Sequence, residues 1–145
     1  MKLSTKTRYG ARILIELARH QGQGAIQVSR IAMHQKIPVK YLEQLLRQLK
    51  LSGFVNSVRG PKGGHLLARE PETITLGQVV RLFESQRDIV ECVSCPDKCD
   101  MVEECLVRQA WQKANTALYE SLDQVTIADL ALTADTENAV TPPIQ

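Results

Sequence analysis

Four cysteines lie at Cys92-x2-Cys95-x3-Cys99-x5-Cys105, and the rest of the chain has none. Thiolates are soft, anionic ligands that suit iron–sulfur clusters and zinc. Four of them packed into so short a stretch can surround one compact inorganic centre. A structural zinc site usually joins two C-x2-C knuckles across a longer insert. Here one knuckle stands alone and the other spacings are uneven. The pattern therefore favours a cluster over zinc, and either of them over plain thiols. The apolar signal-peptide core that would point to secretion is missing from the first residues, so a cytoplasmic setting is expected, where thiols stay reduced.

A second group carries a different chemistry. Arg59-Gly60-Pro61-Lys62-Gly63-Gly64, followed by His65, is a basic, glycine-rich tip. Upstream, Lys40, Tyr41, Glu43, Gln44, Arg47 and Lys50 fall on one side of a helical repeat. Such side chains contact phosphates and read base edges. A surface charge run alone is usually a solvated face. Three glycines and two cations at a hairpin tip, however, have little packing use.

The elements that position these residues follow from periodicity. Val28, Ile31 and Ala32 mark one short helix. Val39, Leu42, Leu45, Leu46 and Leu49 mark a second, with Pro38 at its start and Gly53 as its stop. Phe54, Val55 and Val58 read as a strand and His65, Leu66 and Leu67 as its return. Helix, turn, exposed basic helix and basic hairpin form a winged helix-turn-helix, the helix-turn-helix spanning about 28–51, which reads as a module for double-stranded DNA.

Around it, residues 1–20 form a first helix with an apolar stripe of Tyr9, Ile13, Leu14, Leu17 and Ala18, capped by Ser4 or Thr5. Residues 68–75 are an extended connector, and a helix follows from Thr75 to about Glu84. Residues 86–102 have no clean period and read as a loop. A long helix is expected from about Glu103 to Leu122. Leu106, Ala110, Ala114, Ala117 and Leu118 form one stripe on it, and Val107, Trp111, Leu118 and Leu122 an adjacent one. That face is wide for one helix of a small domain, and its alanines admit a close neighbour. It reads as a homodimerisation helix, since two copies are needed to read a two-fold site. Thr126–Ala131 is a last short helix, and 132–145 a flexible tail. His20 and His34 sit near helix ends, where solvent exposure is expected. The expected class is mainly α with a small β-wing: one domain over 1–131, with its DNA-binding part in 1–70 and the cysteine loop and dimerisation helix in 71–131.

Charge divides along the same line. Residues 1–70 hold 13 Lys and Arg against 3 Asp and Glu, or +10; residues 71–145 hold 5 against 13, or −8. One face of the molecule should therefore attract polyanions. With six aromatic rings, stacking platforms for single strands are disfavoured. No run of eighteen apolar residues is present, so no membrane span is expected. No Ser/His/Asp set, phosphate-cradling loop or paired carboxylate site points to an enzyme. An iron–sulfur or redox carrier is a remote alternative that leaves the +10 half unexplained.

Four stretches resemble the Rrf-type transcriptional regulators: MKLSTKTRYGARILIELA, KYLEQLLRQLKLSGFVNSVRGPKGGHLLAR, ITLGQVVRLFE and LDQVTIADL. The resemblance covers about residues 1–131, and YLEQL and VRGPKGG are its specific parts. It implies a winged-helix homodimer on near-palindromic promoter DNA, often a repressor, in a family that senses iron–sulfur status, nitric oxide or cysteine supply. It makes Tyr41, Glu43 and Gln44 recognition contacts, with Glu43 accepting from a cytosine amino group and Arg59 entering the minor groove. It also makes Cys92, Cys99 and Cys105 ligands. The departures are specific. Six residues separate Cys92 from Cys99 where the family's iron–sulfur regulators have five, and Arg108 stands where they place a His. Arg8 stands where the nitric-oxide sensors use a carboxylate. Cys95 is then the candidate fourth ligand, with 2Fe–2S and 4Fe–4S both open. A cluster-free regulator of sulfur metabolism, switched by thiol oxidation or by a partner enzyme, is the alternative.

Overall fold

The computed structural model describes residues 2–85 and 87–140, with side chains through residue 133. Helix α1 (Thr5–Arg19) begins at Ser4, whose hydroxyl accepts the Thr7 N–H at 3.3 Å. That contact satisfies one of the amides every helix N-terminus leaves unpaired. Helices α2 (Val28–Gln35) and α3 (Val39–Leu51) follow, joined through Lys36, which turns the chain in the left-handed region at φ +54°. Ile13, Leu14 and Leu17 of α1 meet Ile31 of α2 and Leu42, Leu45, Leu46 and Leu49 of α3 in one core. Full burial of each such side chain stabilises by about 1.5–3 kcal/mol.

Gly53, at φ +77°, closes α3. The Phe54 N–H donates to Leu49 O at 2.9 Å and the Gly53 N–H to Lys50 O at 3.1 Å, so the last carbonyls are paired as the chain reverses. Strands β1 (Val55–Val58) and β2 (Gly64–Leu67) are antiparallel, in the register Val55↔Leu67 to Val58↔Gly64. Ile26 and His65 exchange a pair of backbone hydrogen bonds at 2.8 Å, which stitches the hairpin to the segment before α2. A Cβ on Gly64 would overlap the Ile26 carbonyl, so that approach needs glycine.

A single 3-10 turn (Pro71–Thr73) interrupts the expected extended connector. Helix α4 (Leu76–Phe83) then starts with a capping box between Thr75 and Gln78. Helix α5 (Glu91–Ser94) and a 3-10 turn (Pro96–Lys98) lie in the segment expected to be loop, because Pro96 and local backbone bonds fold it on itself. Helix α6 runs Leu106–Gln124, starting later than Glu103 because the chain before Cys105 closes in turns. Val39, placed with the apolar repeat, is instead 47% exposed at the first position of α3.

Helix α7 spans Ile127–Val140, well past the expected end at Ala131. Thr126 and Asp129 cap each other reciprocally, Thr126 N to Asp129 Oδ2 at 3.0 Å and Asp129 N to Thr126 Oγ1 at 3.1 Å. No Gly or Pro interrupts the alanine-rich run that follows until Pro142. Of the expected tail, residues 141–145 lie outside the described residues. Among the described residues no helix is long and apolar enough to cross a membrane.

Candidate nucleic-acid interface and cysteine segment

Helix α3 buries one side and presents the other. Lys40, Glu43, Gln44, Arg47 and Lys50 are exposed, opposite the buried leucines. Tyr41 is only half-exposed. Its ring meets Tyr9 of α1 edge-on at 6.0 Å, and the Arg12 guanidinium covers Tyr9 at 5.2 Å. Part of Tyr41 thus packs α3 on α1, a use beyond the contact expected from its outward position.

At the wing, Arg59, Gly60, Pro61 and Lys62 are exposed, so both cations stand at the tip. Gly63 is buried, and its N–H donates to Gly60 O at 2.9 Å. A Cβ there would strike the Val58 carbonyl. The glycines therefore serve the tightness of the turn, which brings the cations out. Lys50 Nζ donates to Ser57 Oγ at 2.5 Å and bridges the end of α3 to β1. His65 is half-buried beside α3, and its Nδ1 has no hydrogen-bond partner among the described residues. Burial, helped by the Lys50 charge and opposed by Glu43, holds its pKa below the ordinary imidazole value.

The helix-turn-helix is held to α1 by a polar cluster that periodicity does not show. Glu16, 3% exposed, accepts from His34 Nδ1 at 2.9 Å and from Gln35 Nε2 at 2.8 Å. His20 Nδ1 lies 3.8 Å from the same carboxylate. Arg12 Nε donates to Gln35 Oε1 at 3.0 Å. His34 is exposed, as expected, yet its Nδ1 reaches the buried anion, while His20, also expected to face solvent, is only partly exposed beside the same group. A carboxylate on the inner side of an amphipathic helix was the available signal, since such a group needs partners.

The cysteine segment lies against α6. Arg108 donates from Nε to Cys92 O at 3.0 Å. Asn115 accepts the Ile89 N–H at 3.1 Å and donates to Asp88 Oδ1 at 2.5 Å. Tyr119 donates its hydroxyl to Arg87 O at 2.6 Å. Lys98 pairs with Glu91 across the turn. Arg8 is exposed and bonds its neighbour Thr5.

All four cysteines are free thiols and partly exposed. Among the described residues no three His, Cys, Asp or Glu side chains converge to hold a metal ion. The donor chemistry suits a cluster, but the arrangement seen does not gather the donors into one.

Helix α6 buries Tyr119 but leaves Leu106 80% and Trp111 42% exposed, with Val107, Ala110, Ala114 and Ala117 also facing solvent. Such an apolar face is unusual on a monomer surface.

Residues 3–133 match the Rrf2 family model, described as an iron-dependent transcriptional regulator. The chain is 40% identical over 130 residues to Protein rrf2 of Nitratidesulfovibrio vulgaris, covering 90% of this chain and 87% of that protein. It is 39% identical over 137 residues to the HTH-type transcriptional regulator CymR of Bacillus subtilis, covering 94% of each. The solved structure of that protein, described as the global cysteine regulator, superposes with a TM-score of 0.77 at 37% identity, covering 92% of this chain and 98% of that one. The structure of T. potens IscR superposes with a TM-score of 0.76 at 35% identity, covering 99% of this chain and 94% of that one.

Proposed function

The chain belongs to the Rrf2 family of transcriptional regulators, and we propose that it acts as a homodimer on near-palindromic promoter DNA, as a repressor, with Cys92, Cys95, Cys99 and Cys105 as its sensory element. The observation that carries the DNA reading is the exposed face of α3 beside a wing whose Arg59 and Lys62 stand at the tip. Lys40, Arg47 and Lys62 would neutralise phosphates, and Arg59 would enter the minor groove. Glu43 and Gln44 would read base edges, and Tyr41 would contact the duplex with the exposed part of its ring. Gly60, Gly63 and Gly64 shape the wing, and His65 supports it from beneath α3. The exposed apolar face of α6 would be covered by a second copy, which would place two recognition helices one turn of duplex apart, about 34 Å.

For the sensory element, the leading reading is an iron–sulfur cluster, 2Fe–2S or 4Fe–4S, held by the four thiolates. Its loss under oxidative or nitrosative stress or iron shortage would report on the cell. The second reading is cluster-free: thiol oxidation, or a bound enzyme of sulfur metabolism, would change the same segment. The partly exposed, ungathered thiols and the 39% identity to CymR favour it. Both readings describe a regulator and not an enzyme, working in the cytoplasm.

The test has two parts. Duplexes selected from a randomised pool should bind a dimer with near-palindromic preference, and affinity should fall steeply with salt. A monomer with no salt-sensitive duplex affinity would refute the proposal. Chain purified without oxygen should show visible cluster absorption that weakens in Cys95→Ser. A colourless chain whose affinity responds to thiol oxidation would select the second reading.

A further inference from the structure

The connector between α4 and the cysteine segment is fastened at both ends. At its start, Glu84 Oε1 accepts the Ser4 N–H at 2.8 Å and the Thr7 hydroxyl. Ser4 is the N-cap of α1 and Thr7 is 3% exposed. One carboxylate far along the chain thus holds the cap amide and a buried hydroxyl of the first helix. Burial raises its pKa, but the hydrogen bonds from Thr7 and Ser4 prevail and keep it below the ordinary carboxylate value. Phe83, one residue earlier, covers Gly10 so closely that a Cβ there would overlap its ring.

At the other end, Arg87, Asp88, Ile89 and Cys92 are held to α6 by Tyr119, Asn115 and Arg108. Helix α1 is tied in turn to α2 through Arg12 and Glu16. Glu84, bonded to the first turn of α1, thus stands three positions along the chain from Arg87, where the contacts with α6 begin, and α1 carries the link on to the helix-turn-helix.

We infer that Glu84 is a positioning residue that couples the cysteine segment to the DNA-reading head through the first turn of α1. The physical reason is geometric. A displaced connector withdraws the acceptor that two donors share, and leaves the hydroxyl of buried Thr7 to Ser4 Oγ, at 3.2 Å, the oxygen that already caps the Thr7 N–H. A poorly satisfied buried donor is costly, so the first turn of α1 must shift with the connector or strain its cap. Coupling of this kind requires an element whose arrangement both ends bias, and the α1 N-terminus occupies that place. The affinity consequence rests on the sensory reading proposed above; the mechanical link does not.

Amide hydrogen exchange on the full reduced chain tests the link. Thr7→Val keeps the side-chain shape and deletes the donor. It should speed exchange in peptides covering 87–92 by about threefold or more, while α3 and the hairpin keep wild-type rates. Glu84→Ala should speed exchange in the first turn of α1, and Glu84→Gln, which retains an acceptor oxygen, should restore most of the protection. Wild-type exchange at 87–92 in Thr7→Val would overturn the inference, even if Glu84→Ala fails to fold.

A second measurement separates this inference from the sensory reading. Alkylating the four thiols with iodoacetamide should change the duplex affinity of the wild type by about fivefold or more. In Thr7→Val the change should fall below about twofold. An equal change in both proteins would overturn the coupling. No change in the wild type would refute the sensory reading, and the exchange rates at 87–92 would then decide the mechanical link by themselves.

Discussion

His34 on α2 places its Nδ1 2.9 Å from the Oε1 of Glu16 on α1, and the carboxylate it meets is 3% exposed. The pair joins the helix that packs behind the DNA-reading unit to the first helix of that unit. Burial raises the Glu16 pKa, but the His34 and Gln35 hydrogen bonds and the nearby His20 charge outweigh it and hold the group below the ordinary carboxylate value. A carboxyl with a depressed pKa stabilises the fold fully above its unfolded value, about 4.3, and the contribution fades as pH falls through the folded value. Thermal unfolding between pH 7 and pH 3 should therefore show a Tm loss that is shallower in Glu16→Gln. At pH 7 that variant should be less stable by about 1–3 kcal/mol, the cost of poorly satisfied buried polar groups. Identical pH curves would remove Glu16 from this role.

Leu45 is 1% exposed near the centre of α3, in the core that this helix shares with α1 and α2. Leu45→Ala should destabilise by about 2–5 kcal/mol, from lost transfer energy and the cavity left behind. Urea titration followed by circular dichroism measures it, and a cost under about 1 kcal/mol would mean that the site collapses around the smaller side chain.

Those two residues mark what is readable from the chain before folding. Leu42, Leu45, Leu46 and Leu49 announce their helix by spacing alone, because burial on one face imposes the period. The hairpin announces itself through Gly53 and the glycine-rich tip, where positive φ or close backbone approach is demanded. Glu16 gives no periodic sign of its partners, since His34 and Gln35 reach it only once α2 folds against α1. The same holds for Glu84 and Ser4. Helix α7 outruns its expected end because its polar residues have the composition of a tail, although nothing after Asp129 breaks a helix before Pro142. The cysteine spacing offers a candidate ligand set, while the segment's conformation depends on contacts with Arg108 and Asn115 that spacing does not encode.

On the proposed interface, Arg47→Ala and Lys62→Ala would each remove one cation from a phosphate. Each should weaken binding across all duplexes and flatten the log-log salt slope by about 0.9. Glu43→Ala should behave differently. It should relax preference at one base position, by about 1–3 kcal/mol of discrimination, with the salt slope unchanged or steeper. Fluorescence anisotropy at several salt concentrations distinguishes the two patterns, and a uniform loss with Glu43→Ala would argue against base reading.

Trp111 is 42% exposed on the apolar face of α6. Trp111→Glu should shift the chain toward monomer in sedimentation analysis and lower duplex affinity, with helix content retained. A Trp111→Glu protein of unchanged mass in solution would place the pairing surface elsewhere.

The paired backbone bonds between Ile26 and His65, closed over Gly64, make the wing continuous with the segment that leads into α2. Arg59 and Lys62 are consequently carried on a fixed jaw set at a constant opening from α3, with Lys50 and Ser57 as a brace across it. A gauge of that kind does not stretch to fit its object. Stiffness and groove width would then be read along with base identity, and sites that bend readily to this span would be preferred over rigid ones carrying the same bases under α3.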